Sequence, residues 1–162
     1  MALILDGNNV IGALPRYQQT GNFLAARELL VNDTLKAAGW TGREIILVFD
    51  AHRSPEGEKA ESLAGGAVRV MYSGHCQSAD DVIERLLENL HGPATVYTGD
   101  FALQRTVLAR GADRATPREF GDLLDELPAL TRHPETRQRS SLGDRLSPEV
   151  RKKLEEVRRK QS

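Results

Sequence analysis

Four short apolar runs, separated by stretches of helical periodicity, constrain the fold of this chain more than any other feature. The runs span residues 2–5, 44–49, 67–72 and 94–98, and each has the length and apolar character of a buried strand. Strands that alternate with helices are joined by crossovers, which make the sheet parallel and cover both of its faces. The sequence therefore predicts an α/β fold.

Capping residues mark where the intervening helices begin. Asn22, Ser78 and Thr116 each precede a helical stretch, and Ser78 opens the capping-box pattern Ser-Ala-Asp-Asp. A helix after Asp100 is expected to end just before Gly111, which supplies a left-handed stop. The positions expected to face the core are Phe23, Ala26, Leu30 and Ala37 in the first helix, Ile83, Leu86, Leu87 and Leu90 in the second, and Phe120, Leu123, Leu124 and Leu127 in the last.

Composition indicates one globular domain followed by a basic segment. The 162 residues are 40% hydrophobic and 28% charged, which excludes disordered, collagen-like and membrane-spanning chains. Residues 1–130 carry a net charge of −6, whereas residues 131–162 carry +5. Because the periodicity ends in a linker rich in Pro, Arg and Ser before one charged helix, the expected domains are residues 1–128 and a basic helical tail, 129–162. The tail is expected either to bind RNA phosphates or to act as a solubilising segment.

The amino terminus and the cysteine count bear on the cellular compartment. The opening residues, MALILDGNN, have no basic n-region and no long apolar h-region, so we expect a cytoplasmic protein without a signal peptide. The single cysteine, Cys76, excludes an internal disulfide framework and a zinc site built from cysteines.

Three of the predicted strands run directly into an aspartate, namely Asp6, Asp50 and Asp100. A fourth acid, Asp80, opens the helix after the remaining strand. Because parallel strands present their carboxyl ends at one edge of a sheet, these four acids are expected to converge there. Taken singly, each acid is also explained as a turn or helix-cap residue.

Helical geometry separates Asp80 from its neighbour Asp81. Asp80 lies about 60° from Ile83 around the helix, at the edge of the buried stripe, whereas Asp81 lies about 160° away and faces solvent. Asp81 is the third residue after the cap, so capping explains it. Glu84, one turn after Asp80, is interpreted as facing water, with metal binding as the alternative.

Clustered carboxylates repel one another, and a bound cation removes that repulsion. Oxygen ligands suit Mg²⁺ or Mn²⁺, and no His-x-x-His or Cys-x-x-Cys spacing offers a softer site. Such an ion can position water for in-line attack on a phosphate and stabilise the charge that develops. The acidic edge therefore favours phosphodiester hydrolysis.

The motifs around these acids resemble those of the YacP-like NYN domain family, a branch of the PIN-like nucleases. The similar residues are 3–12 (LILDGNNVIG), 48–52 (VFDAH), Ser78-Ala79-Asp80 with Ile83-Glu84, and Thr98-Gly99-Asp100 with Gln104, within a resemblance that runs to about residue 127 and leaves out the tail. The resemblance implies a three-layer α/β/α PIN-like fold with a central, mostly parallel sheet. It also implies a metal-dependent endoribonuclease that acts on mRNA in association with the ribosome.

The same resemblance assigns roles to individual residues. Asp6, Asp80 and Asp100 fall on the family's metal-binding acids, and Asp50 falls on a fourth acidic position, so all four form the expected catalytic set. Asn9 matches the Asn of the family's Asp-Gly-Tyr-Asn motif, where it would orient Asp6 or touch a phosphate.

The chain departs from the family pattern at two positions, with Asn8 where Tyr is usual and Gly99 where Ser is usual. Both changes leave the acids intact, but the first leaves any stacking or packing role of the Tyr unassigned. Three of the weaker substrate-binding candidates have alternatives. His52 is also explained as a solvated loop residue and Arg105 as a surface residue. Thr98 either supports Asp100 by hydrogen bonding or merely suits a strand. The full set of these candidates is Asn9, His52, Thr98, Gln104 and Arg105.

Two other functions fit parts of the sequence. The first is a non-catalytic module of the same fold that binds RNA or the ribosome. The second is a phosphatase of the haloacid-dehalogenase type, suggested by a strand that ends in Asp6. That chemistry requires a second Asp two positions later, where this chain has Asn8, so it ranks third.

Overall fold

A six-stranded, mostly parallel sheet forms the centre of the computed structural model, which describes residues 1–51 and 58–128. Among the described strands, the spatial order is β3-β4-β2-β1-β5-β6, and the edge strand β3 alone runs antiparallel to its neighbour. The α/β class predicted from the sequence is confirmed. The strands are β1 (Ala2–Asp6), β2 (Glu44–Phe49), β3 (Lys59–Leu63), β4 (Val68–Tyr72), β5 (Ala94–Tyr97) and β6 (Asp113–Ala115).

Helices cover both faces of this sheet, which gives the three layers expected of the fold. In β1, Leu3 and Leu5 point into one core and Ile4 into the other, because side chains alternate along a strand. The face of Leu3 and Leu5 is covered by α1 (Gly7–Ala13), α2 (Pro15–Gln18), α3 (Phe23–Thr41) and α6 (Pro117–Asp125). The opposite face is covered by α4 (Ala79–Asn89) and α5 (Phe101–Ala109).

The predicted capping residues begin the helices where expected. The side chains of Asn22, Ser78 and Thr116 accept hydrogen bonds from backbone N–H groups in the first turns of α3, α4 and α6. Ser78 and Thr116 form complete capping boxes. Gly111 follows α5 with φ of 76°, a left-handed conformation that suits glycine.

Five short elements of the described chain were not predicted, among them a 3-10 helix (Ala64–Gly66), and one side chain was placed wrongly. The elements α1, α2 and β6 are short, and β3 is an exposed edge strand, so none of them shows a clear apolar period. Phe23 was expected to face the core but is 48% exposed. It is the first residue of α3, and its ring meets Phe49 edge-on with centroids 6.5 Å apart.

Residues Met1–Leu127 form one compact unit. The expected basic tail, with its charged helix, lies outside the described residues, so the division at residue 128 stays a prediction. In the described part of the chain, no helix combines the length and apolar character needed to span a membrane.

Candidate functional site

The connections of the chain reverse direction between the neighbouring strands β1 and β5. Helices α1 to α3 carry the chain from β1 to β2 over one face, whereas α5 carries it from β5 to β6 over the other. The loops that leave these two strands therefore diverge, which opens a crevice at the carboxyl edge of the sheet. Asp6 ends β1 and Asp100 closely follows β5.

An open cleft of about 350 Å³ lies at this edge. The ends of β1 and β2 and the first turn of α4 contribute its walls, so three of the four predicted acids meet there. The lining residues are Asp6, Asn8, Asn9, Asp50, Ser78, Ala79 and Asp80.

Asp6 is the buried acid of the cleft, with 6% of its surface exposed. Its Oδ1 accepts a hydrogen bond from the backbone N–H of Asn9 at 3.3 Å, and its Oδ2 accepts one from the hydroxyl of Thr98 at 3.2 Å. Burial raises the pKa of Asp6 to about 6; the two hydrogen bonds oppose this rise, and the charges of Asp80 and Asp100 add to it. The protein therefore provides too few favourable contacts to offset the cost of burying the ionised carboxylate of Asp6.

Asp80 belongs to the same electrostatic cluster. Burial raises its pKa, and the next largest cause is the charge of Asp100, followed by those of Asp81, Glu84 and Asp50. Asp81 itself is exposed and closes the capping box of α4, as predicted. Because Asp80 is repelled by both Asp50 and Asp100, the four predicted acids act on one another even though they come from different elements.

Asp100 lies beside the cleft, exposed at the start of α5. Its carboxylate caps the helix by accepting the backbone N–H of Leu103 at 3.0 Å, and its own N–H donates to Oγ1 of Thr98 at 3.1 Å. Thr98 is fully buried and also donates to Asp6. One threonine thus connects the loops that carry two of the acids, and it supports Asp100 through a hydrogen bond to the backbone of that residue.

A second connection spans the same crevice between Asn9 and Gly99. The backbone N–H of Gly99 donates to Oδ1 of Asn9 at 2.7 Å. A Cβ at Gly99 would lie 2.9 Å from that oxygen, so the family's usual Ser would force Asn9 to move. The departure at Gly99 therefore permits a close hydrogen bond between the loops.

Asp50 is held by two residues that sequence reasoning did not assign to it. Oδ1 of Asn8 accepts the backbone N–H of Asp50 at 3.0 Å, so the second departure from the family pattern fixes the turn after β2. The buried hydroxyl of Ser73 donates to Oδ1 of Asp50 at 3.3 Å and accepts the N–H of Ala51 at 2.9 Å. The position of Ser73, directly after β4, is the one sequence signal that could have suggested it.

Two substrate-binding candidates, Thr98 and Gln104, form hydrogen bonds within the protein. Gln104 is buried, with Nε2 donating to the carbonyl of Thr98 at 2.7 Å and Oε1 accepting Nη1 of Arg114 at 2.8 Å. Thr98 and Gln104 therefore position the loop after β5, and their assignment to substrate binding stays a prediction. Arg105 is exposed and has no hydrogen-bond or ion-pair partner among the described residues. His52 lies outside those residues.

The number of protein ligands that a divalent ion needs decides whether the acids of the cleft can hold one. Within residues 1–51 and 58–128, no three His, Cys, Asp or Glu side chains are arranged to hold one metal ion together. Mg²⁺, however, keeps several waters and usually binds one or two carboxylates. The repelled carboxylates of Asp6 and Asp80 fit such a hydrated ion. The predicted ligand set that adds Asp100, and the choice of Mg²⁺ or Mn²⁺, stay predictions.

Comparison with known sequences finds relatives over nearly the whole chain. A family model described as the YacP-like NYN domain matches residues 3–159. The uncharacterized protein YacP of Bacillus subtilis (strain 168) is 33% identical over 168 aligned residues, which cover 97% of this chain and 96% of YacP. The expectation that the resemblance stops before the basic tail was therefore wrong.

Solved structures share the fold. The crystal structure of Rae1 (YacP) from Bacillus subtilis matches with a TM-score of 0.65 and 27% identity, covering 98% of this chain and 95% of that one. A single-residue mutant of the same protein matches with a TM-score of 0.66 and 25% identity, covering 87% and 84% of the two chains.

Proposed function

The chain belongs to the YacP-like NYN domain family of nuclease-like proteins, and on this basis we propose that it is a metal-dependent endoribonuclease. Its reaction is the hydrolysis of RNA phosphodiester bonds, with mRNA associated with the ribosome as the substrate and the cytoplasm as its location. The observation that carries this proposal is the meeting of Asp6, Asp50 and Asp80 in one open cleft, within electrostatic reach of Asp100.

The charge of the cleft supports a reaction on phosphate with a bound cation. Four carboxylates that repel one another also repel an RNA backbone, so the acids need a positive charge between them and the substrate. Asp6 and Asp80 would hold Mg²⁺ or Mn²⁺, which supplies charge neutralisation at the scissile phosphate. The cleft is open at the edge of the sheet, so an internal segment of RNA can reach it without threading from an end.

The remaining residues of the cleft hold the acids in place. Thr98 and the backbone of Asn9 orient the two oxygens of Asp6, so its carboxylate presents a constant geometry. Asn8 and Ser73 fix Asp50, which we assign to orienting water near the phosphate. Such preorganisation lowers the cost of assembling the reacting groups.

The basic tail supplies RNA affinity in this proposal. Its net charge of +5 offsets the repulsion between RNA and the acidic body. Replacing Arg151, Lys152 and Lys153 with Gln in the full chain is expected to weaken RNA binding and to lower its salt dependence by about 0.7 per lost phosphate contact. An unchanged dependence of affinity on salt would exclude these three residues.

Cleavage of a single-stranded RNA by full-length variants tests the catalytic proposal. Asp6→Asn and Asp80→Asn are expected to slow Mg²⁺- or Mn²⁺-dependent cleavage at least about 100-fold, because each removes charge that holds the cation. Asp113→Asn, the same change at an exposed position of β6 that does not line the cleft, is expected to stay within about threefold of the parent. Equal cleavage by all four proteins would remove the proposed site.

The second candidate function is a module that binds RNA or the ribosome without cutting. It is favoured by one observation, namely that the described residues hold no ready set of three metal-binding side chains. Tight binding of single-stranded RNA, together with no cleavage in either Mg²⁺ or Mn²⁺ on any RNA tested, would select this candidate over the nuclease.

A further inference from the structure

The outer face of α5 carries an unusual pair of side chains beside the acids. Phe101 is 79% exposed, the highest value for any large hydrophobic residue that the structure describes, and it directly follows Asp100. Arg105 is four residues further on, so both side chains lie on one face of the helix. We infer that Phe101 stacks on a base of the RNA strand and that Arg105 binds a phosphate of the same strand, an inference that rests on the proposed function.

The exposure of Phe101 is not explained by the packing of the protein. Tyr17, Phe49 and Phe120 are fully buried, and the partly exposed Phe23 contacts Phe49, whereas Trp40 near the end of α3 is 53% exposed, less than Phe101. Phe101 makes no aromatic contact in the described part of the chain. An aromatic ring left in water forgoes the stabilisation that burial of its surface would bring. A ligand with a flat apolar face would recover that stabilisation.

The position of Phe101 is fixed by the same contacts that hold the site. Asp100 accepts the N–H of Leu103 and donates its own N–H to Thr98. These hydrogen bonds fix the backbone before and after Phe101 in the first turn of α5. Behind it, Leu103 and Val107 are buried against the sheet. The Cα atoms of Phe101 and Asp100 are about 3.8 Å apart, as for all neighbours in a trans chain. A stacked base would therefore set the register of the strand against the carboxylates.

The charge of Arg105 selects RNA as the occupant. Arg69, Arg85 and Arg110 form ion pairs with glutamates, whereas Arg105 has no such partner among the residues described. An exposed aromatic ring beside a free guanidinium is the usual combination in sites for single-stranded nucleic acid, where stacking accepts any base and the cation follows the backbone. The inferred site therefore binds single strands with little preference for sequence.

Binding of single-stranded RNA in Mg²⁺ tests this inference, with Asp80→Asn present in every protein so that the RNA stays intact. Adding Phe101→Ala is expected to weaken binding about tenfold, within the range measured for loss of one stacked base. Phe101→Trp is expected to retain the affinity. Leu108→Ala, at an exposed apolar position two turns further along α5, is expected to leave it unchanged. Adding Arg105→Gln is expected to lower the salt dependence by about 0.7.

Two further measurements separate stacking from a general effect on the fold. The fluorescence of 2-aminopurine placed along the RNA is expected to be quenched at one position by Phe101 and Phe101→Trp, and not by Phe101→Ala. An abasic site at that position should abolish the difference between Phe101 and Phe101→Ala. Equal binding of intact RNA by Phe101 and Phe101→Ala would overturn the inference and leave the nuclease proposal standing. A parent chain, with Asp80 intact, that neither binds nor cleaves RNA would contradict the proposed function itself.

Discussion

Two buried aspartates, Asp6 and Asp33, show how differently one fold treats the same charge. They are 6% and 2% exposed, and burial raises the pKa of both carboxyls. Asp33 on α3 accepts the hydroxyl of Tyr17 at 2.8 Å and pairs with the guanidinium of Arg16 at 2.9 Å. These contacts join α2 to α3 and offset part of the cost of burying the charge.

Asp6 is treated in the opposite way. Its partners are a backbone N–H and a hydroxyl, and the charged groups that act on it, Asp80 and Asp100, are negative. A buried charge without a cation destabilises the fold, and clefts that tolerate one are candidate functional sites. Asp33 therefore holds two helices together, whereas Asp6 is a candidate ligand for a cation. The residue type alone does not reveal this difference.

The largest expected effect is the pH dependence of stability that Asp6 produces without divalent ions. Its pKa is about 6 in the folded chain and 3.8 as the ordinary value, so the folded state binds the proton more strongly. Stability should then fall as pH rises from about 4 to 7, by about 3 kcal/mol from this group. Asp6→Asn should remove the part of the fall that Asp6 contributes and exceed the parent in stability at pH 8, while the raised pKa values of Asp33 and Asp80 leave a smaller fall in both proteins.

Urea unfolding at pH 4 to 8 in a chelator measures this effect. Asp113→Asn, the same change at an exposed position of β6, is the control and should follow the parent. Profiles of Asp6→Asn and the parent that coincide would show that Asp6 does not carry an uncompensated charge.

Substitution of Asp33 tests the role of the buried aspartate that has a cation beside it. Asp33→Asn is expected to destabilise the fold by about 2 kcal/mol at pH 7, because it leaves Arg16 unpaired and weakens the bond to Tyr17. Its RNA cleavage rate, measured well below its unfolding temperature, should stay within about threefold of the parent. A large loss of cleavage with unchanged stability would place Asp33 in the functional machinery and undo the distinction.

The smallest expected effect is stabilisation by the metal. Mg²⁺ at ten times its dissociation constant should raise the free energy of unfolding of the parent by about 1.4 kcal/mol, since it binds the folded state. Asp33→Asn should respond equally, whereas Asp6→Asn should respond little. Thermal unfolding with and without Mg²⁺ gives the three shifts, and an equal response of Asp6→Asn would exclude Asp6 as a ligand.

The convergence of the acids could be predicted because strand direction alone decides which edge of a sheet a residue reaches. Asp6 and Asp50 follow strands that are recognisable from local apolar runs, and Ser78 reveals the start of the helix that carries Asp80. The separation of Asp80 from Asp81 followed from helical geometry in the same local way. Elements with little apolar content of their own, such as β3, could not be recognised by this means.

The roles of the supporting residues could not be predicted locally. Thr98 contacts Asp6 across 92 positions of the chain, and Asn8 contacts the backbone of Asp50 across 42. Gln104 was a substrate-binding candidate, and the structure shows it buried and bracing the loop after β5. Thr98 and Asn8 acquire these partners from strands that the sheet brings beside them, whereas the partners of Gln104 are 6 and 10 positions away and meet it because α5 lies between β5 and β6 in the chain.

By itself, the sequence determined the class of fold, the capped helices and the edge at which four carboxylates gather. These properties follow from apolar period, cap chemistry and strand direction, which act over a few neighbouring residues. Tertiary structure alone decided which buried acid has a cation beside it, as Asp33 has Arg16, and which is repelled by other acids, as Asp6 is. The reason is physical: the energy of a buried charge depends on the groups that surround it in space, and those come from distant parts of the chain.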